Sequence, residues 1–91
     1  MEDIKRGENQ FYIGENIQNK LAEITFYSID SEKITIVSTY VSESLKNQGV
    51  ALELVKKVVD YARQDNKKII PMCSYAKKVL TENEEYKDLL K

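Results

Sequence analysis

The residues of this 91-residue chain best suited to chemistry fall in two places. The first is the stretch 39–51, where an alternating segment ends in Thr39, Tyr40 and Val41. A polar loop follows, and helical periodicity opens at a lone glycine, Gly49. The amides in the first turn of a helix have no partner inside the helix. They carry about half a positive charge from the aligned peptide dipoles, so an anion, a phosphate above all, sits well on them. Gly49 lets such a group approach closely, Lys46 adds a point charge, and Ala51 keeps the next turn thin. The plainer alternative is that Gly49 only lets the loop turn into the helix. The second place is Cys73, at the end of a short apolar run. A thiolate is a nucleophile, and ligand sites in α/β sheets favour that end of a strand. The chain has no histidine to activate it. Helix amides after Ser74, or Lys77 and Lys78, are the remaining means of lowering its pKa. The plainer alternative is a small buried hydrophobe.

Tyr40 and Tyr75 are candidate proton donors, since a phenol is a serviceable acid; as core or rim residues they would do nothing chemical. Glu23 and Glu43 are candidate bases, or simply solvated carboxylates. Composition removes several other chemistries. One cysteine and no histidine exclude zinc fingers, histidine-based triads and most transition-metal sites, so no metal is expected. With 14 basic and 15 acidic side chains, net charge is −1, which gives no reason to expect nucleic acid or an anionic membrane as partner. No apolar run approaches the ~18 residues that span a bilayer, and the N-terminus lacks a signal-peptide core. A cytoplasmic monomer or weak dimer is the expectation.

The elements that must position these residues can be read from hydrophobic period. Residues 1–91 are expected to form one domain, since a core of this size divides no further. Residues 9–14 read as a strand and 15–19 as a turn. Residues 20–29 read as a second strand, with Leu21, Ile24 and Phe26 set against Ala22, Thr25 and Tyr27. Residues 33–41 read as a third, with Ile34, Ile36, Ser38 and Tyr40 on one face and Thr35, Val37, Thr39 and Val41 on the other. From 48 to 64 the apolar spacing changes to threes and fours, at Ala51, Leu54, Val55, Val58, Tyr61 and Ala62, the signature of a helix. Residues 68–73 read as a short buried strand, which Pro71 assigns to an edge or a splayed position. A short helix at 74–80 follows. Thr81 and Glu84 then have the spacing of a capping box that would start a last helix. The expected order is β-β-β-α-β-α-α, an α/β (α+β) fold. The crossover helix makes the third and fourth strands parallel, and they should diverge toward their C-terminal ends.

Lys46, Asn47, Gln48, Gly49, Val50 and Ala51 resemble the acyl-CoA loop of the GNAT acetyltransferases, Q/R-x-x-G-x-G/A, with lysine in the first position. Val41 and the residues up to Leu45 resemble the strand-V-x-x-x-h pattern that precedes it. The run 7–14 (GENQFYIG), the run 22–25 (AEIT) and the cysteine of 73–77 (CSYAK) are similar to a small GNAT-like subfamily that lacks the N-terminal elements of larger members. This resemblance covers nearly the whole chain. It implies a GNAT-like mixed sheet and acetyl-CoA as cosubstrate. Amides from about Gln48 to Leu52, Val50 included, would hold the pyrophosphate. Tyr40 and Val41 would offer backbone groups to the pantetheine arm and the thioester carbonyl. Lys77 and Lys78 would touch the adenosine 3′-phosphate, or form only a solvated helix face. Cys73 and Tyr75 are the implied catalytic candidates, with acetyl passing to an amine or thiol on a small molecule or protein. An acyl-CoA-binding or sensing module is the alternative. Two departures bear on that choice. Aligned with the family pattern N-x-x-A-x-x-L-Y, Cys73 replaces the asparagine and Leu80 the tyrosine; in H-T-x-V, Ser38 replaces the histidine.

Overall fold

A computed structural model describes residues 3–16 and 18–90. Strands β1 (Lys5–Arg6), β2 (Gln10–Gly14), β3 (Lys20–Ser28) and β4 (Lys33–Val41) precede helix α1 (Val50–Gln64). Strand β5 (Lys68–Pro71), helix α2 (Ser74–Glu82) and a 3-10 segment (Glu84–Leu89) complete the chain. The five strands lie in sequence order, with β1 to β4 antiparallel and β5 parallel to β4. This is the expected mixed sheet, with its crossover helix and a parallel final pair. It carries one strand more than expected, and its last helix is 3-10. The extra strand is β1, two residues long and held by the Arg6 guanidinium, which lies 4.8 to 5.4 Å from the ring centroids of Phe11, Phe26 and Tyr61.

Helix α1 buries Val50, Leu54, Val55, Val58, Val59 and Ala62 in one stripe. They meet Ile13, Ala22, Ile24, Phe26, Ile34, Ile36 and Ile69 of the sheet in one core, which Ala76, Val79 and Leu80 of α2 also enter. The opposite side of the sheet leaves Tyr27 and Tyr40 half exposed.

Two bulges correct the faces expected from simple alternation. In β3, Ile13 pairs with Ala22 but Gly14 pairs with Lys20, so Leu21 is an extra residue. Ala22, not Leu21, therefore joins Ile24 and Phe26 in the core. Gly14 at this bulge has φ +144°, and a Cβ there would lie 2.5 Å from the Asn19 carbonyl oxygen, so only glycine fits. In β4, Thr25 pairs with Ser38 but Phe26 pairs with Ile36, leaving Val37 as the extra residue. The inward phase moves from Ile34 and Ile36 to Thr39 and Val41, whose partners Ile24 and Ala22 are both buried. A bulge inserts one residue and resets the period-two phase beyond it.

The expected capping box does not form. Thr81 lies inside α2, and its hydroxyl donates back to the Lys77 carbonyl at 2.7 Å. A threonine in a helix takes this bond whenever the turn behind it is already helical. The end of α2 is closed by Asn83, whose side-chain amide donates to the Val79 carbonyl at 2.7 Å.

Candidate active site

The site is built where β4 and β5 part. Their ladder runs from Lys33 and Lys68 to Ile36 and Pro71 and stops there. Beyond it the amides of Met72 and Cys73 both donate to the Ile36 carbonyl, at 2.9 and 3.0 Å. Pro71 has no N–H to give, and the Val37 bulge bends β4 at the same level. Residues 37–41 therefore pair with β3 on one side and present a free strand edge on the other. The splay expected from the sequence is present.

A cleft of about 320 Å³ opens beside that edge. Its lining includes Val41, Leu45, Lys46, Asn47, Gly49, Val50, Ala51, Leu52 and Tyr75. Val41, Leu45, Leu52 and Tyr75 give the lining large apolar side chains, and the rest comes from the loop and first turn of α1. Asn47 and Gly49 there both have left-handed backbones, φ 64° and 76°. Gly49 is the N-cap of α1 and supplies no side-chain cap. The first amide of the following turn seen to bond inward is that of Glu53, to the Gly49 carbonyl at 3.2 Å. A Cβ on Gly49 would meet nothing within 4 Å, so a side chain there would project into open space at the mouth of the turn.

Eight of the twelve residues singled out from the sequence line this cleft together. The other four lie around it. Tyr40 is half exposed and shares a register level with Glu23, on the face opposite Thr39. Gln48 directs its side-chain amide to the Ser44 carbonyl at 3.1 Å, bracing the loop. Lys77 is exposed on α2, and its backbone amide donates to the Cys73 carbonyl. Cys73 is the N-cap of α2 and is half-buried. Lys46 lines the cleft, but its ammonium pairs with Glu43 at 2.8 Å. Leu45 was not singled out, although it closes the V-x-x-x-h pattern. Thr39 was not singled out either. Its hydroxyl lies 3.5 Å from the Cys73 sulfur, an ordinary contact distance for sulfur, and the bulge that turns it inward leaves no mark in the alternation.

Burial is the largest influence on the Cys73 thiol and acts to raise its pKa. Hydrogen bonds from the Thr39 side chain and from the backbone of Ala76, Tyr75 and Thr39 act the other way. Together they outweigh burial, and the thiol lies below its ordinary value. Burial raises the Tyr75 phenol, which stays protonated at neutral pH and able to donate. Among the described residues no cluster of metal-ligating side chains exists, and no helix is long and apolar enough to cross a membrane.

The splayed parallel pair and the uncapped start of α1 can be set beside known proteins. The family model for GCN5-related N-acetyltransferases matches residues 10–89. The chain belongs to that family. Among solved structures it is similar to a GCN5-like candidate N-acetyltransferase from Staphylococcus aureus, at 47% identity and TM-score 0.83, over 98% of this chain and 87% of that one. It shares its fold with a GNAT family acetyltransferase from Elizabethkingia anophelis solved with acetyl-CoA bound, at 22% identity and TM-score 0.56. That match covers 75% of this chain and 47% of the larger protein. A ribosomal-protein-alanine N-acetyltransferase from Brucella melitensis has the same fold at 16% identity and TM-score 0.59, over 84% of this chain and 62% of that one. No curated protein sequence matches.

Proposed function

We propose that the protein is an acetyl-CoA-dependent acetyltransferase whose cosubstrate lies along the free edge of β4, with its pyrophosphate on the first turn of α1. The observation that carries this reading is the end of the β4–β5 ladder at Ile36 and Pro71, beside a cleft lined by apolar side chains and by the uncapped first turn of α1. The unpaired edge at 37–41 suits an extended amide-bearing arm, which adds to a sheet edge as a strand does. The open space over Gly49 and the uncapped amides of Val50, Ala51 and Leu52 suit a phosphate. Lys46 screens that charge while shared with Glu43, and Lys77, exposed on α2, is assigned to the outer phosphate.

The acetyl step is assigned to Cys73. Its thiolate attacks the thioester carbonyl, forming an S-acetyl bond and releasing CoA thiolate, which takes its proton from Tyr75. An amine or thiol acceptor then attacks the S-acetyl carbonyl, gives up its proton to the Tyr75 phenolate and expels the Cys73 thiolate, which restores both residues. The acceptor is a small molecule or a protein side chain. A second reading, an acyl-CoA-binding module without efficient transfer, is favoured by one observation: Leu80, at the place of the family's usual tyrosine, is wholly buried in the core.

Calorimetric titration with acetyl-CoA tests binding. Gly49→Glu should abolish it, because the new carboxylate projects into the space assigned to phosphate. The backbone strain costs only about 1 to 2 kcal/mol, so the variant should still fold. Parent-like affinity in that variant would place the phosphates elsewhere. Mass spectrometry after exposure to acetyl-CoA separates the two readings. The transferase gains one acetyl group that Cys73→Ala does not, and a binding module gains none.

A further inference from the structure

The reaction assigned to Cys73 needs a thiolate, and the chain holds no histidine to make one. The structure offers a different device. Thr39 Oγ1 lies 3.5 Å from Cys73 Sγ, joining residues 34 positions apart. Thr39 faces Cys73 only because the Val37 bulge resets the phase of β4. Were Val37 paired regularly instead of bulged, strict alternation from Ile36 would put Ser38 inward. The pair itself does not line the cleft but adjoins residues that do. Val41, next inward on β4 after Thr39, and Tyr75, two residues beyond Cys73, both line it.

We propose that Thr39 is a positioning residue for the acetyl-transfer step, donating its hydroxyl proton to the Cys73 sulfur and holding it toward the splay as the attacking group. A hydroxyl bonded to a thiolate can only donate, so Thr39 stabilises the anion without acting as a base. The remaining groups on the sulfur are the neutral amides of Tyr75 and Ala76 in the first turn of α2 and the backbone of Thr39. Beside Thr39, β4 brings the uncharged Ile36 carbonyl, which accepts from the Cys73 amide at 3.0 Å. Helix α2 brings Tyr75, held protonated by burial, and the exposed Lys77. The nucleophile is thus prepared by fixed neutral dipoles. This rests on the proposed function for its role, but its physical content can be read without any cosubstrate.

The test uses the single cysteine as its own reporter. The pH dependence of Cys73 alkylation by iodoacetamide, followed by intact mass, is compared in the parent, Thr39→Val and Thr39→Ser. Valine keeps the shape and removes the donor, while serine keeps the donor. The valine variant should react on the order of fivefold more slowly at neutral pH, with its profile displaced to higher pH and its plateau at high pH unchanged. Serine should restore the parent profile. A valine profile that superimposes on the parent's overturns the proposal, as does a serine variant that behaves like valine. Acetyl-CoA titration of the same variants distinguishes the failure of this inference from that of the cosubstrate reading. Unchanged alkylation with intact binding sinks only the role of Thr39, and absent binding in the parent sinks the cosubstrate reading while leaving the alkylation result to stand.

Discussion

The two halves of β4 share a strand and differ in everything else. Residues 33–36 have hydrogen-bonded neighbours on both sides, β3 and β5, and send Ile34 and Ile36 into the core without exposure. Residues 37–41 have a neighbour on one side only, with Thr39 beside a thiol and Val41 in the wall of a cleft. One extra residue, Val37, divides them. The first half contributes stability by burying branched side chains. The second gives up a row of ladder hydrogen bonds and gains an edge on which another chain of amides can lie. Ending a pairing early opens one wall of the cleft, and the loop before α1 and its first turn supply the rest.

Deleting Val37 is the strongest way to break the contrast. The deletion removes the bulge and leaves Thr39 and Val41 facing inward, because alternation from Ile36 would then carry straight through to them. The sheet should still fold, β4 should straighten toward β5, and acetyl-CoA binding should be eliminated. Retained binding, measured by titration with circular dichroism as the control for folding, would show that the bulge does not create the site. Ile36→Ala should act in the opposite sense. It removes a wholly buried side chain from the paired half and should cost about 2 to 4 kcal/mol in denaturant unfolding. In whatever fraction remains folded, acetyl-CoA affinity should change little. A collapse of affinity at full folding would tie the two halves together. The smallest effect is expected far from both. Asp88 pairs with Arg63 at 3.1 Å, and both side chains are largely in solvent. Asp88→Ala should cost less than about 1 kcal/mol, and an effect on binding would mean that the C-terminal segment communicates with the cleft.

Most of the fold was legible in the sequence because it was written in period. The change from twos to threes at Gln48 marked the helix, the short polar turns marked the antiparallel strands, and Pro71 marked the edge. The cleft lining was legible for a related reason. It comes almost wholly from one stretch of sequence, between Val41 and Leu52, with Tyr75 added. What escaped was phase. A bulge alters neither the residue types nor their spacing, so Val37 looked like any outward valine, and Thr39 was placed opposite Ile36 when both face inward. The partner of Cys73 was hidden with it, since a contact across 34 residues depends on which way a strand faces. Thr81 escaped for another reason: its spacing to Glu84 fits a cap, but the helix before it runs on through Glu82 and uses its hydroxyl first.

The Ile36 carbonyl accepts from both Met72 and Cys73, which occupies both of its lone pairs. The two strands are therefore riveted at the apex of the wedge between them. Opening the wedge further would break two bonds at once, and closing it would need donors that Pro71 lacks. Its angle is set before any visitor arrives. Association then resembles entry into a fixed slot more than the opening of a hinge. For the cosubstrate proposed above, the ordering cost would then fall mainly on the flexible ligand, the wedge being held by these two bonds.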